Sequence, residues 1–252
     1  MQVKKTTITA DTLAKYVSEK PKKVFDNISP SQLGGCMRSH YWNIRGVEQT
    51  TPPSPTALVN FEVGHAWEAM LAKAYESQGT LVKWYQDGID KPWVDKETGI
   101  GGMPDFLVEN EEGKVIVDSK TVNSAFFRYA RGSFSDWVAG RTNEIYQQVA
   151  YVYLARLQGH DVNRAVLSYA SKDDGFVGME FEVDVSDELL EKVLGRARQL
   201  KGYLDREELP PCDCSGWKVG YCGFGNPATR KPNSKKKTVN TECCQTAFVK
   251  EK

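Results

Sequence analysis

Asp105, Asp118 and Lys120 are the residues of this chain whose types and spacing could do chemistry. Pro104-Asp105 and Asp118-Ser119-Lys120 lie on either side of a turn-rich stretch, so one hairpin can bring two acids and an ammonium together. Side chains alternate across a strand, which puts Asp118 and Lys120 on one face, and pairing of the two strands sets Asp105 beside them. Two close carboxylates repel unless a cation lies between them. Mg²⁺ or Mn²⁺ suits that place, since these ions take hard oxygen ligands and keep waters. An ion so held can bind a phosphate, lower the pKa of a bound water and stabilise a leaving oxygen. Lys120 would polarise the attacking water and offset charge developing on phosphorus. A lone Asp-x-Lys equally describes a solvated ion pair on an exposed strand. Context separates the two readings: Gly101-Gly102-Met103-Pro104-Asp105, a turn, then the apolar run Val115-Ile116-Val117 ending in the acid.

Two flanking motifs extend the set. Gly64-His65-Ala66-Trp67-Glu68 lies upstream, and Gln147-Gln148-Val149-Ala150-Tyr151 lies downstream with Gln147 and Tyr151 on one helical face. Taken alone, Glu68 is also an exposed acid on an amphipathic helix, and Gln147 and Tyr151 are also surface and core. In the order Glu68, Asp105, Asp118, Lys120, Gln147, Tyr151, the chain resembles the PD-(D/E)xK nuclease superfamily, and its RecB-like branch in particular. The resemblance implies a restriction-endonuclease-like α/β fold, a central mixed β-sheet flanked by helices. It implies that Glu68, Asp105, Asp118 and the Ser119 carbonyl hold the metal, that Lys120 assists the nucleophile, and that Gln147 and Tyr151 contact the lysine or the substrate phosphate. Many relatives carry histidine where this chain has Glu68, a departure shared with viral exonucleases. His65 is turned about 100° from Gly64 and about 60° from Glu68 on a helix, and stays outside the expected site.

Six cysteines are distributed unevenly: Cys36 near the N-terminus, and Cys212, Cys214, Cys222, Cys243 and Cys244 in the last fifth. Without an export signal they are expected as reduced thiols, a pattern that suggests metal ligation before disulfides. The segment from Ile28 to Trp42 resembles the one that opens iron–sulfur members of the same branch, the AddB-type and CRISPR-associated exonucleases. Those members carry one cysteine before the nuclease motifs and three after, and Cys36 with Cys212, Cys214 and Cys222 has that order. The resemblance implies a [4Fe–4S] cluster joining the N-terminal helix to the C-terminal tail. Cys212-Asp213-Cys214 departs from the usual Cys-x-x-Cys, which leaves structural Zn²⁺, or no metal at all, open. It also leaves open whether Cys243 or Cys244 is a ligand.

The elements that must position these residues follow from periodicity. Helices are expected over 11–18, over 32–44 with Ser29 as N-cap, Pro30 at the first position and Cys36 on the helix, then over 57–78, 142–158 and 187–207. Strands are expected over 81–85, 102–108, 114–120, 165–171 and 177–185, which places Asp105 on a strand. Residues 124–140 read as aromatic and irregular, and Arg128 and Arg131 there are candidates to hold a DNA strand, with core packing of the aromatics as the alternative. The run from Arg230 to Lys237 tracks phosphates or is simply solvated. One domain over 1–252 is expected, with a catalytic core over 57–185, a cysteine-metal subregion from 28–45 and 205–225, and a basic tail over 226–252.

Lys+Arg 33 against Asp+Glu 33 leaves no global charge to attract a polyanion, so any nucleic-acid surface must be local. No apolar run approaches the roughly 20 residues of a membrane span. The polar N-terminus is unlike a secretion signal, so a cytoplasmic protein is expected, in the host cytoplasm if viral. No Gly-x-x-x-x-Gly-Lys-Ser/Thr motif is present, which excludes a motor of that class. Together with the resemblance, these readings point to a Mg²⁺- or Mn²⁺-dependent DNA exonuclease of viral or bacterial recombination, replication or repair. It would act on single-stranded DNA or free ends, as a homo-oligomer or with a recombination partner. The alternatives are an endonuclease of the same chemistry and a noncatalytic DNA-binding iron–sulfur module.

Overall fold

The computed structural model describes residues 7–20, 26–86, 89–127, 134–174, 178–213 and 222–224. Helix α1 (Ile8–Ser18) packs on α3 (Pro55–Ser77), the helix expected over 57–78. The start of α3 is set by Ser54, whose hydroxyl accepts from the Ala57 amide at 3.3 Å, and by Pro55 at a position that needs no N–H.

The sheet runs β1 (Leu81–Trp84), β4 (Phe106–Asn110), β5 (Gly113–Val122), β6 (Val162–Ser171), β7 (Gly178–Asp184), with a separate pair of β2 (Trp93–Val94) and β3 (Gly101–Gly102). All neighbours in the large sheet are antiparallel except β5 and β6, which are parallel and joined by α4 (Phe134–Ala139) and α5 (Thr142–Leu157). A parallel pair needs such a crossover. The last helix, α6 (Asp187–Asp205), is capped by the Ser186 hydroxyl on the Leu189 amide.

This is the expected central mixed sheet with helices on both faces. On one face Ala72 of α3 meets Phe106, Val108, Val115 and Val117. On the other, Val149, Ala150, Val152 and Leu154 of α5 meet Leu107 and Ile116, with α6 packed behind. Burying side chains of this size stabilises the fold by about 1.5–3 kcal/mol each, which fixes the register of β4 and β5. A third cluster, Phe127, Trp137, Leu167 and Tyr169, closes the sheet beyond Asp118 and Lys120. No helix among the described residues is long and apolar enough to cross a membrane.

Three local expectations are corrected. The strand expected over 102–108 is broken: Asp105 precedes β4, because Pro104 has no N–H to give a ladder. Its carbonyl still accepts from the Tyr85 amide at 3.1 Å. The helix expected over 32–44 is a single turn at Pro30–Gln32, a break at Gly34-Gly35, then α2 (Met37–Ile44). Cys36 is therefore the N-cap of α2 and not within it. The cause is close packing at Gly34, where a Cβ would lie 2.5 Å from the Thr142 carbonyl oxygen. The stretch over 124–140, read as irregular, contains α4.

Candidate active site

Alternation along β5 turns Asp118 and Lys120 toward α5 and Ser119 toward α3. Asp118 has no solvent-exposed surface. Its Oδ1 accepts from Gln147 Nε2 at 2.9 Å, and its Oδ2 lies 2.5 Å from Lys120 Nζ as an ion pair. Asp105 joins from the entry to β4, its Oδ2 accepting from the Ser119 amide at 2.8 Å. Ser119 Oγ in turn accepts from Trp67 Nε1 at 2.8 Å, which ties α3 to the strand of the site.

The electrostatics are those of acids short of positive charge. Burial, then the Asp118 charge, pushes the Asp105 carboxyl up to about 8 against the pull of Lys120. Burial raises Asp118 as well, opposed first by Lys120. Burial alone would lower the Lys120 pKa, but Asp118 and Asp105 outweigh it and hold the ammonium charged above its ordinary range. The Tyr151 hydroxyl is raised by burial and then by the two aspartates, and it bonds to the Gln147 side chain. Gln147 and Tyr151 are buried, and the i, i+4 spacing brings both to the site.

Glu68 is near enough for its charge to raise both aspartates, yet its Oε2 lies 3.4 Å from His65 Nδ1. The histidine left outside the expected site thus touches one of its members. Among the described residues no three His, Cys, Asp or Glu side chains converge closely enough to hold a metal. What the site offers a dication is the Asp105–Asp118 pair, and Mg²⁺ often takes only one or two carboxylates while keeping waters.

Sequence reasoning missed Arg141, Glu144 and Tyr169. A cavity of about 730 Å³ is lined by Lys120, Gln147, Arg141, Glu144, Cys36 and Cys222 among others. Arg141 Nη1 pairs with Glu144 Oε1 at 3.2 Å, and its guanidinium lies 4.7 Å from the Phe126 ring centre. Tyr169 sits beside Lys120 in the β5–β6 register. The spacing Glu144, Gln147, Tyr151 is a three-four repeat on one helical face, the signal that could have found the glutamate.

Of the expected thiol set, the structure brings Cys36 and Cys212 together, Sγ to Sγ 3.9 Å, well beyond a disulfide bond. Cys222 lies on the wall of the same cavity as Cys36, with its carbonyl accepting from Thr51 Oγ1 at 3.0 Å. Cys214, Cys243, Cys244, Arg128, Arg131 and the run from Arg230 to Lys237 lie outside the described residues.

No protein-family model and no curated relative matches the sequence. Among solved structures, an alkaline exonuclease from Laribacter hongkongensis is similar at 13% identity and a TM-score of 0.49, over 73% of this chain and 90% of that one. Its complex with dAMP is similar at 13% identity and a TM-score of 0.48, over 79% and 93%. A phage-related exonuclease from Haemophilus somnus 129PT is similar at 14% identity and a TM-score of 0.49, over 72% and 96%.

Proposed function

We propose that this protein is a divalent-metal-dependent deoxyribonuclease of the PD-(D/E)xK type that hydrolyses phosphodiester bonds at DNA ends. The observation that carries the reading is Asp118: a fully buried carboxylate held by Lys120 and Gln147 beside a second acid that is also starved of positive charge. A purely structural ion pair needs no second buried acid, and such an acid is costly without a cation. The pair fits a hard dication, since two buried carboxylates share the single Lys120 ammonium and both are driven up in pKa.

Asp105 and Asp118 would hold Mg²⁺ or Mn²⁺, with the Ser119 carbonyl as a further ligand and Glu68 reaching the ion through water. The ion, when bound, supplies charge to a phosphate oxygen and acidifies a water. Lys120, a third exposed, stays cationic and orients that water while facing the charge that grows on phosphorus. Gln147 keeps Asp118 Oδ1 in place, and Tyr151 backs Gln147 from the next turn. DNA reaches Lys120 through the cavity bordered by Arg141, and Arg128 and Arg131 are candidates for the strand.

Cys36 and Cys222 line the same cavity and Cys36 lies beside Cys212, which supports a separate metal site on these thiols. The order of Cys36, Cys212, Cys214 and Cys222 supports a [4Fe–4S] cluster. One observation favours zinc as a second reading: tetrahedral Zn–S bonds of about 2.3 Å set sulfurs about 3.8 Å apart, close to the 3.9 Å between Cys36 and Cys212. Anaerobic purification followed by iron and zinc analysis separates the two.

Activity is tested with end-labelled linear DNA and closed circular DNA in Mg²⁺ or Mn²⁺, beside Lys120→Ala. Metal-dependent release of nucleotides from ends by the wild type alone is expected. Equal cleavage by the variant, or none by either protein, sinks the assignment, and nicking of the circle makes the enzyme an endonuclease.

A further inference from the structure

The Cys36 loop and the helix that holds Asp118 are joined by a contact that no part of the chemistry requires. Arg196 of α6 donates from Nε to the Leu33 carbonyl at 2.5 Å and from Nη2 to the Gly35 carbonyl and to Asp213 Oδ2, the last at 2.7 Å. One guanidinium thus grips both ends of the glycine loop and the residue that follows Cys212. Asp213 Oδ1 accepts from the Met37 amide at 2.8 Å, so the same carboxylate also caps the first turn of α2.

Between the two gripped carbonyls lies Gly34, pressed against the start of α5. A Cβ there would stand 2.6 Å from Asn143 Cα and 2.7 Å from Asn143 N, both backbone atoms. Asn143 is four residues before Gln147, one turn along α5, and Gln147 is the donor to Asp118. A rigid helix passes a displacement of its first turn to its second.

We propose that Arg196 is a positioning residue that seats the Gly34-Gly35 loop on the first turn of α5 and thereby holds Gln147 at Asp118. This deepens the nuclease reading and depends on it only for its kinetic consequence. Arginine is required because three acceptors in different directions need a planar fork of donors. Lysine keeps the charge facing Asp213 but cannot reach all three. The latch runs from Asp213 through the Arg196 side chain to the Gly34-Gly35 loop, and from Gly34 to the first turn of α5.

Two measurements on the full chain test this. Amide hydrogen exchange compares wild type, Arg196→Lys and Arg196→Met. Protection over residues 142–150 should fall about tenfold or more in the methionine variant and less in the lysine variant, with β5 unchanged. Unchanged protection of α5 overturns the proposal. Single-turnover cleavage then compares Arg196→Met in the wild-type and Gln147→Ala backgrounds. A loss of about tenfold in the first and under about twofold in the second is expected, because both changes act on one contact. Equal losses in both backgrounds overturn it, since a general loss of stability would add. Should Arg196→Met fail to fold, Asp213→Asn replaces it, with the same pattern at smaller amplitude. If the wild type cleaves no DNA, the nuclease reading fails and hydrogen exchange alone decides the latch.

Discussion

The hydrolytic hairpin and the cysteine lobe are held together by different physics. Around Asp118 the strands are fixed by a continuous ladder from Phe106↔Val117 to Asn110↔Gly113 and by apolar residues packed on both faces. Around Cys36 the chain is fixed by side chains reaching main-chain groups: Arg196 on Leu33 and Gly35, Arg38 on the Pro210 carbonyl at 2.7 Å, Asp213 on the Met37 amide. Regular structure positions the groups that need sub-ångström placement. Polar clasps add direction to a lobe that also buries Leu33, Met37, Tyr41, Trp42 and Phe224 in the main core.

The comparison is broken most severely at the hairpin. Lys120→Ala should lower the single-turnover rate by about 10³-fold or more, because the ammonium acts in the transition state, and should also lower the metal-free melting temperature, because buried Asp118 loses its partner. Ile116→Ala, under the same strand, should instead cost about 2–5 kcal/mol of stability by opening a cavity, read by chemical denaturation. If Ile116→Ala is silent, the ladder and not the packing holds the site. In the lobe, Gly34→Ala should cost about 1–3 kcal/mol, since main-chain atoms cannot give way as a side chain can.

That contrast also explains what was legible in the sequence. Asp118 and Lys120 were readable because the period of a strand is local, and Gln147 with Tyr151 because i, i+4 spacing is local. Asp105 was found as a residue but misplaced on a strand, since Pro104 ends the ladder one step early. The Gly34-Gly35 break, Arg196 and Asp213 were not readable at all: their partners lie up to 176 residues away. Tyr169 was hidden for the same reason, Arg141 pairs locally but belongs to no motif, and Glu144 showed only as the start of a three-four repeat.

Titration separates the regions again. Asp105, with its pKa raised to about 8, favours the proton in the metal-free fold, so that fold loses stability as pH rises through that value. A cation must displace the proton, so Mn²⁺ affinity should tighten by up to about tenfold per pH unit below 8 and level off above it. His40 in the lobe has the opposite sign. Burial, aided by the Arg196 charge, lowers its pKa to about 3, and its neutral Nε2 accepts from the Ser29 amide at 3.0 Å. The unfolded chain binds that proton near pH 6.5, so the lobe's stability is full above 6.5 and drains as pH falls toward 3. A melting temperature that stays level across that acid range would contradict this. The smallest effect belongs to the surface: Asp205→Ala removes the Lys201 pair, 2.7 Å and mostly exposed, and should shift stability by under about 0.5 kcal/mol.

The central claim, that Asp105 and Asp118 form a cation site, is tested most directly by Mn²⁺ binding at pH 8, followed by electron paramagnetic resonance. Saturable binding by the wild type, binding retained in Lys120→Ala, and binding lost in Asp105→Asn are expected. Saturable binding that survives Asp105→Asn unchanged, or no binding by the wild type, would contradict it.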